Sequence, residues 1–371
     1  MPIDVRAIQS SDSTEIYITA TPEIGASVQD QAARTFGDIR DALRRMDARL
    51  LHERVFATDN ALEIIRPIRI EAYGDLDDGV PPTRLAVPAG ESGDFSGVQV
   101  HAVSDRREPA PLRLGEMVCG RTLTRKGYKY ITVSGLSAPD AGDASAQARS
   151  TFEKAEFALE RAGANMLSVA RTWVWLGDIL AWYGDFNRVR TRFFTERGLL
   201  DGRPESARPP ASTGIGVSLA GRPHCGLDLI AILGGRDLMR HYNASGNQRS
   251  PYEYGSAFSR ATRAITPAGQ TVYVSGTASI DASGKTQHIG NAAAQIKQTI
   301  ANVCAVFRCM DCTDADVVQA IAYSKTRPIE SLFLARSGTL AWPCVSVIAD
   351  ICREELLFEI EVTACPGARK V

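Results

Sequence analysis

The chain repeats itself three times, and this constrains its fold more than any other feature. One copy starts near Tyr17 (YITATPEIG), a second near Tyr130 (YITVSGLSAPD) and a third near Tyr273 (YVSGTASID). Gln147-Ala148-Arg149-Ser150-Thr151-Phe152 stands 116 positions after Gln31-Ala32-Ala33-Arg34-Thr35-Phe36, and Gln147 stands 148 positions before Gln295. Periods this long suit whole β-α-β modules rather than short solenoid repeats. Function is therefore expected in the seams between modules, and where one copy has diverged from the others.

Within each copy the hydrophobic rhythm changes in the same order. Residues 31–47 place Phe36, Ile39, Leu43 and Met46 at three-to-four-residue spacing, which predicts a helix with one buried face. Phe152, Ala155, Phe157 and Leu159 form the matching set in copy two, and Ile296, Ile300, Val303 and Phe307 in copy three. Aromatic and β-branched strand candidates follow at 51–56, 169–175 and 317–323. A second helix is clear only in copy two, over Ile179–Phe194. Proline-led elements come next, at Pro82, Pro210 and Pro343, and each copy closes on an alternating strand: 97–102, 226–231 and 357–362. These patterns predict an α+β fold of three units, 1–110, 111–235 and 236–371, with mixed sheets facing inward and helices outside in a pseudo-threefold arrangement. The polar, proline-bearing stretches 104–115 and 236–255 read as the joints.

Forty-two basic and forty-three acidic residues nearly cancel, so no overall field favours nucleic acid or an anionic membrane. The first residues (MPIDVRAIQSSDSTE) lack an apolar leader, and no run of eighteen apolar residues exists, so a cytoplasmic protein is expected. Eight cysteines form no disulfide-dense pattern; Cys309 and Cys312 are spaced CxxC without a second pair, and five scattered histidines form no ligand cluster. Neither metal nor nucleotide cofactor is expected, since no glycine-rich phosphate motif occurs either.

Aligning the closing strands by their apolar alternation puts Gln99, Asp228 and Glu359 in one position, with Glu361 on the same face. A carboxylate among apolar neighbours is either salt-bridged or an acid that holds its proton near neutrality. Both readings stand for Glu359, and Glu361 is its rival; Asp228 reads as a remnant at another seam. Arg171, inside an apolar strand, needs an anionic partner or a wet cavity. Tyr183 and Asn187 lie one helical turn apart with Arg190 beyond. Ser212-Thr213-Gly214-Ile215-Gly216 is either a carboxylate cradle or a tight turn. Arg249, Arg260 and Arg353 are further cations, each equally consistent with a surface ion pair. Cys344 and Cys352 read as small buried residues, with Cys352 able to shape a pocket.

The third copy, through YVSGTASID, Gln295, Pro343 and LLFEIEVTA, resembles the YjgF-like (Rid) module. The whole chain, from about Ile16 to Ala364, resembles the chorismatases, on the stretches YGDFNRVRTRFF, PASTGIG, YGSAFSRA and CREELLFEIE. That resemblance implies cleavage of the enolpyruvyl ether of chorismate with release of pyruvate, without metal or organic cofactor. One chain of three modules can supply the closed architecture of a trimer of single ones, so a monomer is expected. It implies that Glu359 is the general acid, that Arg171 and Arg260 clamp the substrate carboxylates, that Thr213 orients one of them and that Tyr183 holds a ring hydroxyl. It also implies that Ala261 and Cys352 help choose between 3-hydroxybenzoate and a dihydroxycyclohexadiene carboxylate. Standalone Rid enamine/imine deaminases pair the first glutamate of EIE with an arginine where this chain has Cys344, which counts against that second activity. A non-catalytic small-ligand-binding protein is the third reading.

Overall fold

The computed structural model describes residues 3–203, 206–245, 248–337 and 340–371. The first unit runs β1 (Ile3–Gln9), β2 (Ser13–Ala20), α1 (Val28–Arg45), β3 (Arg49–Ala57), α2 (Asp59–Tyr73), β4 (Thr83–Ala86) and β5 (Phe95–Asp105). The second runs β6 (Ala110–Leu114), β7 (Met117–Arg125), β8 (Tyr128–Ser137), α3 (Ala144–Arg161), β9 (Val169–Leu176), α4 (Ile179–Glu196), β10 (Ala211–Ile215), β11 (Ser218–Leu219) and β12 (Cys225–Gly234). The third comprises β13 (Met239–Tyr242), β14 (Ala261–Thr266), β15 (Gly269–Ala278), α5 (Ala292–Cys309), β16 (Val317–Ser324), α6 (Arg327–Ser337), β17 (Cys344–Ile348) and β18 (Phe358–Ala364), followed by β19 (Arg369–Lys370).

The sheets share one strand order: β4-β3-β5-β2-β1, then β10-β9-β12-β8-β7, then β17-β16-β18-β15-β14. Within each, the proline-led strand is parallel to its neighbour and the rest are antiparallel. Two short strands cross between units: β11 joins β4, and β19 joins β1. Three similarly built sheet-and-helix modules are thus present. A second helix occurs in every unit, not only the second; α2 carries Pro67 in its interior, which masks the helical pattern in sequence.

The first helix of each unit begins at a polar cap, Ser27, Asp143 or Asn291, whose side chain accepts a backbone N–H three residues on. The repeated glutamine sits in its first turn, where it staples the helix to adjoining loops. Gln31 donates to Glu23 O at 2.7 Å, and Gln147 to Gly142 O at 3.0 Å. Gln295 donates to Glu355 O and accepts from Leu357 N, both at 2.8 Å, which fixes the approach to β18. Each sheet buries one face under its own helices. The opposite faces supply a shared core containing Leu51 and Phe56, Tyr130 and Trp173, and Tyr273 and Ile321. β3 and β4 lie against β8, β9 and β10 against β14 and β15, and β16 and β17 against β2, so each unit meets the next. No helix among the described residues is long and apolar enough to cross a membrane.

Candidate active site

The strand register corrects the alignment of the closing strands. On β18, Glu361 is opposite Ile321 and Glu359 opposite Tyr323. On β12, Asp228 is opposite Trp173 and Gly226 opposite Trp175; on β5, Gln99 is opposite Arg54 and Gly97 opposite Phe56. Trp173 and Ile321 are themselves 148 residues apart, so Gln99, Asp228 and Glu361 are counterparts. The counterparts of Glu359 are glycines, Gly97 and Gly226. A slip of two residues keeps every side chain on its face, so alternation alone could not detect it.

The three true counterparts each clasp a seam. Asp228 accepts from Thr83 Oγ1 at 2.8 Å and Gly135 N at 2.7 Å, with His52 Nε2 3.3 Å away. Gln99 donates to Ala320 O at 2.8 Å, while Gln319 reaches back to Val100 O at 2.9 Å. Glu361 accepts from Arg171 Nη2 at 2.9 Å and Trp173 Nε1 at 2.5 Å, with Arg54 Nη1 at 3.5 Å. The rival carboxylate is therefore fully engaged in holding units together, and Glu359 is the added group.

Glu359 is 5 % exposed and opens on a cleft between the second and third units, enclosing roughly 520 Å³ of non-protein space including its mouth. Burial is the main cause that pushes its carboxyl up to about 8; the neighbouring Glu361 charge adds to this, and Arg171 and Arg260 oppose it. The acid is thus predominantly protonated at neutral pH. Room for it comes from Gly276 on β15: a Cβ there would overlap Glu359 Oε1. Across the cleft, α4 presents Tyr183 and Arg190, and β10 presents Ser212 and Gly214. Residues 256–260 are pinned by Ser259 N donating to Pro210 O at 3.0 Å, which delivers Phe258 and Arg260. Gly216 N donates to Asp350 O at 2.8 Å and anchors the turn that carries Cys352 and Arg353. Among the described lining residues Glu359 is the one carboxyl, facing three guanidinium groups. Arg190 and Arg260 are nearly fully buried, and both guanidiniums lie close to the Phe258 ring, at 5.6 and 5.7 Å. Burial pushes the Tyr183 phenol and the Cys352 thiol each up to about 12, so both remain neutral hydrogen-bonding groups.

Of the residues singled out from sequence, Glu359, Arg260, Tyr183 and Cys352 meet in this cleft. Arg171 and Thr213 do not line it. They lie behind its wall, where Arg171 Nη2 donates to Thr213 Oγ1 at 2.5 Å and the same oxygen accepts from Gly276 N at 3.0 Å. Ala261 is fully buried in the third unit's own core with Val272 and Val274. It follows Arg260 directly, and consecutive strand residues point to opposite faces. Arg353, read as a possible surface cation, lines the cleft; Arg249 instead lies half-exposed, donating to Ser283 O at 2.9 Å. Arg190 and Ser212, which the sequence offers without a definite role, line the cleft, as do Ser256 and Gly276, which it does not single out. For Arg190 the signal was its helical spacing from Tyr183. The larger cavity beneath α2 beside Pro81 also gathers one acid, Asp77, and three arginines, but there the acid is ion-paired with Arg69 at 3.1 Å. By register, Cys344 corresponds to Ser212, so the residue beside Glu359 at the deaminase arginine position is also not an arginine.

No family model and no curated protein matches this sequence. Among solved structures, a chorismatase crystal structure superposes with a TM-score of 0.62 over 96 % of this chain and 99 % of that one, at 19 % identity. The chain has the chorismatase fold. Shorter chains align with about a third of it. A YjgF/YER057c/UK114 family member from Mycobacterium tuberculosis (21 % identity, TM-score 0.26) covers 34 % of this chain and 98 % of its own. Escherichia coli TdcF, solved with bound serine (20 % identity, TM-score 0.26), covers 34 % and 94 %. On the chorismatase fold the acid, the three guanidiniums and the tyrosine all fall in one seam of three.

Proposed function

We propose that this protein is a chorismatase, acting as a monomer of three Rid-like units in a pseudo-threefold arrangement. The observation that carries the reading is a buried Glu359 facing Arg190, Arg260 and Arg353 in one cleft, at a position where the other two units have glycine. Chorismate is a dianion with an enol ether. The guanidiniums bind its carboxylates through charge-assisted hydrogen bonds, with Arg260 and Arg190 as the buried pair. Tyr183 holds a ring hydroxyl. Glu359 delivers its proton to the terminal methylene of the enolpyruvyl group, leaving an oxocarbenium centre that the Glu359 carboxylate faces. Water adds to that centre, its proton returning to Glu359, and collapse of the hemiketal releases pyruvate and a dihydroxycyclohexadiene carboxylate, whose loss of ring water gives 3-hydroxybenzoate. When a ring hydroxyl adds in place of water, it departs as the pyruvate carbonyl oxygen and 3-hydroxybenzoate forms directly. Cys352, in the cleft wall, bears on that choice through shape.

Purified protein incubated with chorismate is expected to release pyruvate, with the organic acid resolved by chromatography. Absence of pyruvate from folded protein would overturn the reading. Glu359→Gln is expected to lower turnover by roughly 10²–10⁴-fold, the range general acids contribute. Because the acid must be protonated, activity should fall as pH rises through about 8.

A further inference from the structure

Glu361 sits where all three units meet. It lies on β18 two residues from Glu359 and on the same face, about 7 Å along the strand. Trp173, which donates to it, has two guanidiniums over its ring: Arg54 of the first unit at 4.0 Å and Arg171 at 4.7 Å. From Glu361 the contacts run in one direction. Arg171 Nη2 bonds both Glu361 and Thr213 Oγ1, Thr213 receives the Gly276 N–H, and Gly276 is the notch in which the Glu359 carboxyl rests.

We propose that Arg171 and Glu361 are a positioning pair that sets both the place and the protonation of Glu359, and not a substrate clamp. The pair ties β18 to β9 and β10 across the seam, and Thr213 carries the tie to the glycine beneath the acid. The two charges also act on Glu359 in opposite senses. A like charge about 7 Å away in a medium of effective dielectric near 20 moves a carboxyl by about one unit or more. The other groups facing Glu359 are Arg190, Arg260 and Arg353, Tyr183 and Cys352 across the cleft, and Tyr323 opposite it on β16. All of them are retained when the pair is changed. The seam between the first two units has a carboxylate clasp at the same position without the acid: Asp228, 3.3 Å from His52, accepts directly from Thr83, which stands in the place of Thr213, and from Gly135 N. The clasp is thus a structural element of the fold, and the third unit has added an acid two residues from it.

This inference rests on Glu359 being the acid of the proposed reaction, but its test needs no substrate. The full chain carrying carboxyl-labelled [13C]glutamate is titrated by NMR, with the Glu359 resonance assigned by its loss in Glu359→Gln. In Glu361→Gln the Glu359 midpoint is expected to fall by about one pH unit or more, because the repelling charge is gone. In Arg171→Gln it is expected to rise, because the attracting charge is gone. The alkaline limb of pyruvate release should move with each midpoint. A merely structural pair would lower stability in both variants without moving the midpoint in opposite directions. Midpoints unchanged, or shifted the same way, overturn the electrostatic role. Should either variant fail to fold, Thr213→Val keeps every charge and tests the positional role: kcat should fall with KM and the midpoint unmoved, and an unchanged kcat overturns it. Wild-type protein inert toward chorismate would sink the proposed reaction while leaving the titration to decide this pair.

Discussion

Glu359 stores strain in the form of a proton. Its carboxyl ordinarily ionises near 4.5 and is raised to about 8 in the folded protein, chiefly by burial. Ionised, it is solvated in the unfolded chain and not in the cleft. Its contribution to stability is therefore complete below about 4.5, declines as pH rises between the two values and is lost above about 8. The full swing is on the order of 5 kcal/mol, taking about 1.4 kcal/mol per unit. Glu359→Gln has no such loss, so its melting temperature should exceed that of the wild type at pH 9, with the gap closing toward pH 4. A constant gap across that range would show that the acid is not raised. Arg260→Ala or Arg190→Ala should raise KM about 30-fold in steady-state kinetics, matching about 2 kcal/mol for a charge-assisted hydrogen bond. An unchanged KM in both would remove them from the clamp.

At the scale of the element, the decisive feature is how β15 and β18 pair. The register shifts between Val274 and Thr277, leaving Ser275 and Gly276 against a single residue of β18. That irregularity puts a side-chain-free position directly beneath the Glu359 carboxyl. Gly276→Ala should therefore displace the acid while costing the sheet little, since the clash is with the end of a flexible side chain. A displacement of about 1 Å should lower kcat by about 10²-fold. Turnover measured beside a melting curve checks this, and full activity would mean the acid has slack. The amphipathic rhythm of α1, α3 and α5 and the proline-led strands were legible in sequence, because local spacing reports which face is buried; the exception is Phe157 of α3, which is 54 % exposed, with Ala158 buried beside it. The offset between Glu359 and Glu361 was not: both have the same parity, and only hydrogen-bonded neighbours on β15 and β16 tell them apart. Ala261 failed for the opposite reason. Adjacent to Arg260 in sequence, it faces the other side of the sheet.

Across the whole molecule, three separate helix-side cores are joined by a fourth built from all three sheets. Exposing that shared core in one unit exposes it in all, so a single calorimetric unfolding transition is expected despite the length of the chain. Asp228→Ala removes a fully buried group that serves Thr83 across a seam and Gly135 within its own sheet. It should lower the transition as a whole by about 3 kcal/mol and not split it. Two resolved transitions would show that the units are independent. Triplication, the α+β class and the neutral charge balance were all written in the order of residues, because repeats and hydrophobic periods are local properties. Glu359 was also visible there as a carboxylate among apolar neighbours. Which seam it serves emerged only from tertiary structure. Arg190 from α4, Arg260 ahead of β14 and Arg353 before β18 converge on one cleft, whereas Arg171 turns away to Glu361. Strand spacing fixes the face a side chain occupies, but the neighbouring unit decides whether that face meets a cavity or a partner charge.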